Sequence, residues 1–248
     1  MRIRGVDNFS KITDPLEAII LAGGFGTRLQ KVVSDVPKSM ALINGTPFLE
    51  YLLNYLTGQG IVKIILSVGH KRELIHDHFR NRFRHLTISY AVEEEPLGTG
   101  GGIRNALEQV EGDSVFALNG DSMFRIDLNA MQHLHQKSEA DLTMALRYLD
   151  DTSRYGTVKI NLDKRVTGFI EKAPDSPPGY INGGIYLIKK DYLLSYPQGQ
   201  AFSIEKDCFE KSFTGSKIFG YPARGYFIDI GIPEDYMTAQ DEFKRFED

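Results

Sequence analysis

The stretch Glu17-Ala-Ile-Ile-Leu-Ala-Gly-Gly-Phe-Gly-Thr-Arg-Leu29 decides how the rest of the chain is read. Residues 18–22 form a short apolar run of the kind a buried strand needs, and it feeds directly into Gly23, Gly24 and Gly26. Arg28 follows, and Lys38 stands in Val36-Pro37-Lys38. Glycine lets a backbone come close to a ligand and aim its N–H groups at an anion. The two cations supply the charge a polyphosphate needs. Neither common phosphate motif is present. No Lys-Ser or Lys-Thr follows Gly26 where a P-loop requires it, and the dinucleotide fingerprint fails in either register. The segment is thus either a nucleoside triphosphate cradle of another kind or an ordinary glycine-rich turn after a strand.

Composition narrows the field. A chain of 248 residues suits one large α/β domain or two small ones, with length enough for its own core. A net charge of −4 gives no electrostatic case for a nucleic-acid partner, so any anion site must be local. The single cysteine, Cys208, excludes an intrachain disulfide, fits a reducing compartment and reads as a packing residue. No apolar run approaches the roughly 18 residues of a membrane span, and the first residues lack the apolar segment of a signal peptide. A cytoplasmic protein without a membrane partner is expected. Residues 1–16 read as an N-terminal extension ahead of a single domain over 17–248.

Apolar runs alternate with helical spacings through the first half. Strands are predicted over 18–22, 63–68, 86–92 and 114–118, and helices over 47–58, 73–83 and 100–109. This alternation argues for parallel βαβ units, whose ligands bind beyond the carboxyl ends of the strands. The second half is richer in strands, predicted over 141–148, 156–160, 166–171, 183–188 and 217–220, with a Pro-rich loop over 174–179.

Several side chains at these strand ends are candidates for chemistry. Asp121 ends Asn119-Gly120-Asp121, and Asp229 lies in Tyr226-Phe-Ile-Asp-Ile-Gly231. Two such carboxylates suit Mg²⁺, a hard cation that takes oxygen ligands; equally, each suits a turn or helix cap. Glu171-Lys172 closes a predicted strand and reads either as a phosphate and hydroxyl site or as a solvated pair. Glu93-Glu-Glu-Pro-Leu-Gly-Thr99 is too acidic to cradle phosphate. A carboxylate there matches the paired N–H donors on the edge of guanine, or is simply a solvated loop. The six histidines lack the i, i+4 spacing of paired metal ligands on a helix.

Taken in order, Leu21-Ala-Gly-Gly-Phe-Gly-Thr-Arg-Leu29 with Pro37-Lys38, Glu95-Pro-Leu-Gly-Thr-Gly100, Asn119-Gly-Asp121, Tyr155-Gly156, Glu171-Lys172, Asn182-Gly-Gly184 and Asp229-Ile-Gly231 resemble the sugar-1-phosphate nucleotidyltransferases. The resemblance covers about residues 17 to 240. Ser153-Arg-Tyr-Gly-Thr157, Ser203-Ile-Glu-Lys-Asp207 and Gly225-Tyr-Phe-Ile-Asp-Ile-Gly231 resemble most the subgroup that guanylylates D-glycero-α-D-manno-heptose 1-phosphate. Lys31-Val-Val33 and Ser39 depart from the commoner hexose enzymes.

The resemblance implies an α/β, Rossmann-like (GT-A-like) fold. A mostly parallel, mixed sheet would be flanked by helices, with a nucleotide-binding lobe over about 17–125 and a β-rich sugar-binding lobe over 126–248. It implies transfer of a nucleotidyl group from an NTP, GTP favoured, to a sugar 1-phosphate, with Mg²⁺ as cofactor. Arg28, Lys38, Asp121 and Asp229 would be catalytic, the two aspartates as metal ligands. Leu21, Ala22, Gly23, Gly24, Gly26, Thr27, Arg28, Lys38, Glu93, Pro96, Leu97, Gly98, Thr99 and Gly120 would hold the nucleotide. Gly156, Glu171, Lys172, Asn182 and Gly183 would hold the sugar phosphate. A homo-oligomer stays open.

Overall fold

The computed structural model describes residues 16–24, 29, 33, 35–170, 176–209 and 215–246. The chain opens with β1 (Leu16–Leu21), a small hairpin of β2 (Leu42–Ile43) and β3 (Thr46–Pro47), α1 (Phe48–Thr57) and β4 (Ile61–Val68). Next come α2 (Arg72–Phe79), β5 (Arg82–Phe83), β6 (Leu86–Val92), α3 (Gly98–Ala106), β7 (Ser114–Asn119) and β8 (Ser122–Phe124). The second half holds α4 (Leu128–Lys137), β9 (Leu142–Leu149), β10 (Thr157–Ile160), β11 (Val166–Ile170), β12 (Gly179–Lys189) and α5 (Lys190–Leu194). It closes with β13 (Ile218–Ala223), β14 (Phe227–Asp229) and α6 (Pro233–Glu242).

The main sheet has the order β11-β10-β12-β7-β1-β4-β6-β5, with β9 and β13 branching from β12. Its centre, β7-β1-β4-β6, is parallel, while β12 joins β7 antiparallel, so the sheet is mixed with a parallel core, as expected. β1 is buried on both faces. Ala18 and Ile20 join a core with Leu49 and Leu52 of α1, Ile75 of α2 and Met131 of α4. Ile19 joins a second core with Ile103 of α3 and Leu193 of α5. Strands covered on both sides read as continuous apolar runs, which is why β1, β4 and β7 were visible without alternation.

From β1 the chain moves outward to β4 and β6 through α1 and α2, then returns through α3 to β7 on the other side of β1. The reversal lies between β1 and β7, and open parallel sheets bind ligands in the crevice at such a point. Gly23 and Gly24 follow β1, and Gly120 and Asp121 follow β7. Gly120 is needed there: its N–H donates to Leu21 O at 3.0 Å, and a Cβ would stand 2.4 Å from that oxygen.

Some boundaries differ from the sequence reading. The helix predicted over 73–83 stops at Phe79, because Arg80 turns to φ 50° and Arg82–Phe83 pairs with β6. Gly179, read as loop, starts β12, and Asn182 and Gly183 lie inside that strand. Residues 174–175 fall outside the described residues. Among the described residues, no helix is long and apolar enough to cross a membrane.

Candidate active site

β8 and β14 form a separate two-stranded ribbon at the crevice, and their pairing makes the centre of the site. Asp229 lies opposite Ser122, and Ile230 N donates to Asp121 O at 3.0 Å, so the two aspartates meet despite their distance in sequence. Between them lies Lys38, in a one-turn 3₁₀ helix, with Nζ 2.6 Å from Asp121 Oδ2 and 3.6 Å from Asp229 Oδ1. The Gly231 N–H also donates to Asp229 Oδ1 at 2.7 Å and fixes that carboxylate. Burial, and then the charge of Asp121, push the Asp229 carboxyl above its ordinary range, while Lys38 opposes the shift. One ammonium between two carboxylates leaves an excess negative charge. Hard oxygen donors with that excess fit a divalent cation such as Mg²⁺, which keeps waters and substrate phosphates as its other ligands.

A cavity of about 270 Å³ opens beside this cluster. Its lining includes Leu21, Gly23, Gly24, Glu93, Pro96, Gly98, Thr99, Gly120 and Asp121, all but Asp121 read from sequence as nucleotide contacts, together with Asn119, which was not singled out. Glu93 is held rigidly: Ser67 Oγ donates to its Oε1 at 2.6 Å and Leu97 N to its Oε2 at 3.0 Å. Each carboxylate oxygen accepts more than one bond, so Glu93 retains capacity for a pair of ligand donors. Leu97 acts here through its backbone. Ala22 is buried, with its N–H on Ser67 O, and faces the core rather than the cavity. Glu94, in contrast, is exposed and paired with Arg72.

The second glycine run is a packing surface. A Cβ on Gly100 would meet the Phe202 ring at 2.2 Å, and one on Gly101 would meet Gln200 O at 2.5 Å. The first turn of α3 is bare so that the chain around Phe202 can lie against it.

A second cavity of about 410 Å³ lies between β10, β11, β12 and a π-helical turn, Ile204–Phe209. Gly156 and Asn182, which the sequence reading assigns to the sugar, line it. So do Ser203, Glu205 and Lys206, which that reading quoted as part of the resemblance without giving them a role. Gly183 is small for packing, since a Cβ there would stand 2.4 Å from the Phe124 ring. The Asn182 amide is already oriented, with Nδ2 donating to Tyr186 Oη at 2.7 Å and Oδ1 accepting from Gly184 N at 3.0 Å. Gly26, Thr27, Arg28, Glu171 and Lys172 lie outside the described residues. Among the described residues, no group of three or more His, Cys, Asp or Glu side chains suits a metal ion. Cys208 is buried and its thiol is pushed up to about 11 by burial, which suits packing.

Known proteins are similar to this chain in sequence and in fold over most of its length. The chain is 46% identical to D-glycero-alpha-D-manno-heptose 1-phosphate guanylyltransferase of Aneurinibacillus thermoaerophilus over 231 residues, which covers 93% of this chain and all of that protein. It is 42% identical to the enzyme of the same name from Campylobacter jejuni over 221 residues, 89% of this chain and 97% of that one. The crystal structure of HddC from Yersinia pseudotuberculosis superposes with a TM-score of 0.81 at 37% identity, covering 92% of this chain and 99% of that chain. A second structure of the same protein is complexed with GMP-PN and superposes at 0.80. Residues 17–245 match the family described as Nucleotidyl transferase, and the chain belongs to that family.

Proposed function

We propose that this protein transfers GMP from GTP to D-glycero-α-D-manno-heptose 1-phosphate, yielding GDP-heptose and pyrophosphate. The observation that carries the reading is the Asp121–Lys38–Asp229 cluster at the switch point of the sheet, with one cavity beside it and a second cavity past α3. Two relatives with more than 40% identity act on that heptose, and a neighbour binds a guanine nucleotide, which supports the base and the sugar.

In the proposed reaction a phosphate oxygen of the sugar attacks the α-phosphorus of GTP. A new P–O bond forms as the bond to the bridging β-oxygen breaks, and pyrophosphate leaves with that electron pair. The nucleophile is already an anion, so no general base is needed. Positioning and charge neutralisation supply the catalysis. Lys38 neutralises phosphate charge, with Arg28 and the backbone of Gly23, Gly24, Gly26 and Thr27 on the triphosphate. Glu93 accepts the guanine N–H donors, framed by Leu21, Pro96, Gly98 and Thr99. Gly156 and Asn182 contact the sugar with Glu171, and Lys172 holds its phosphate. Asp121 and Asp229 would hold Mg²⁺, which supplies charge stabilisation at the reacting phosphate.

The test follows pyrophosphate release with Mg²⁺, crossing ATP, CTP, GTP, UTP and dTTP against the 1-phosphates of the heptose, mannose and glucose. Fast release with GTP and the heptose alone is expected. Release with another pair would overturn the sugar or the base, and no release with any pair would overturn the reaction.

A further inference from the structure

The two cavities are joined by one continuous line of hydrogen bonds, and Glu205 is its middle link. On the nucleotide side, Thr99 Oγ1 donates to Glu205 Oε2 at 2.7 Å and accepts from Ile204 N at 3.0 Å. Ser203 Oγ donates to the same carboxylate oxygen at 2.7 Å. On the sugar side, the buried Tyr186 Oη donates to Glu205 Oε1 at 3.2 Å and accepts from Asn182 Nδ2. The donors converge on Glu205 from both sides. Glu205 only accepts, so all three hydroxyls must give it their protons, and Tyr186 is left able to accept from Asn182. The backbone reinforces the junction. Phe202 N donates to Leu97 O at 2.9 Å, and Phe202 O accepts from Gly100 N at 3.0 Å. The carboxylate sits in a π-helical turn, a rare form of helix that recurs at functional sites.

We propose that Glu205 is a positioning residue that couples the two cavities, so that nucleotide held against Pro96–Thr99 orders the Asn182 side of the sugar cavity. A ligand that fixes Thr99 fixes one donor to Glu205. The remaining donors then have fewer arrangements to lose when the sugar phosphate binds, and such a saving appears as positive cooperativity. Coupling of this kind is reciprocal, so the sugar phosphate must tighten the nucleotide by the same factor. The inference rests on the guanylyl-transfer reading and deepens it, since it assigns a residue outside the reacting groups the task of linking the two substrates.

Calorimetric titration with a non-reactive α,β-methylene analogue of GTP, with and without heptose 1-phosphate, reads the coupling factor directly. In the unaltered protein a factor of about tenfold is expected, within the usual range for coupled sites. Glu205→Gln keeps the shape but replaces an acceptor oxygen with a donor. Tyr186→Phe cuts the line at a different atom. Each should bring the factor to about one, whatever it does to either affinity alone. A variant that weakens both ligands with the factor intact would show a merely structural Glu205 and overturn the proposal. So would an unaltered protein that binds both ligands independently. Failure of the unaltered protein to bind either ligand is a different result, because it strikes the guanylyl-transfer reading itself. Near-ultraviolet circular dichroism on both variants separates loss of fold from loss of coupling.

Discussion

Asp229 is the residue whose surroundings most constrain what the site does. Its carboxyl is held up by burial and by Asp121, while Lys38 and the Gly231 N–H favour its charge. Such a group is ionised at a cost, which is sensible where a cation is due to arrive. Asp229→Asn and Asp121→Asn should each lower turnover by about 10²-fold or more, since each removes charge at the reacting centre. Near-normal turnover with Mg²⁺ in both would falsify their role. Both aspartates were legible as carboxylates at strand ends, but their meeting depends on a ribbon whose partners stand far apart in sequence, so it was not.

His135 makes a second residue-scale case. It is buried on α4, its Nδ1 lies 2.9 Å from Thr143 Oγ1, and burial first of all lowers its pKa to about 4 from 6.5, with Lys189 adding to the shift and Asp141 opposing it. A lowered pKa in the folded state contributes stability that is complete above pH 6.5 and is lost as pH falls toward 4. The loss amounts to about 3 kcal/mol at most. Urea denaturation across that window should show a shallower pH slope in His135→Asn. Equal slopes would mean that the imidazole titrates normally.

At the scale of elements, apolar runs made the buried strands readable because each is a continuous stretch covered on both faces. The helix most readable was α1, whose one face is strongly apolar with Phe48, Leu49, Leu52, Leu53 and Leu56. α6 buries Ala239 alone and α4 sets Gln132 and His135 among its buried positions, so neither shows a clean apolar stripe. The least readable element was the β8–β14 ribbon, which depends on a backbone contact. A Cβ on Gly225 would stand 1.5 Å from Arg125 O, while Arg125 N donates to Tyr226 O at 2.9 Å. No side chain fits between these chains. Gly225→Ala should therefore part the ribbon, lower stability by about 1–3 kcal/mol as overpacking does, and displace Asp229 so that turnover falls with it. A crystal structure of the variant with Asp229 still beside Lys38 would count against this account.

The whole molecule separates its chemistry from its anchorage along the strands. The residues proposed to act on substrate gather beyond the carboxyl ends of β1 and β7. At the amino end of β1, Glu17 is 2% exposed and ties β1, β4 and the turn after α3 together. Its Oε2 accepts from Glu111 N and Gly112 N, both at 2.8 Å, and its Oε1 lies 3.1 Å from Lys63 Nζ. Sequence could not show this, since Glu17 reads there as the polar residue just before an apolar strand. Glu17→Gln keeps the shape yet cannot satisfy the site: its amide group must face either the two N–H donors or the ammonium. Breaking a buried pair in this way should cost about 3 kcal/mol, read as a lower urea midpoint with an unchanged slope. The strand carries the site about 20 Å away, so the KM for GTP and for sugar phosphate should not move. A large KM change in a variant that remains folded would show that the two ends of β1 communicate, and would leave Glu17 with a part in catalysis.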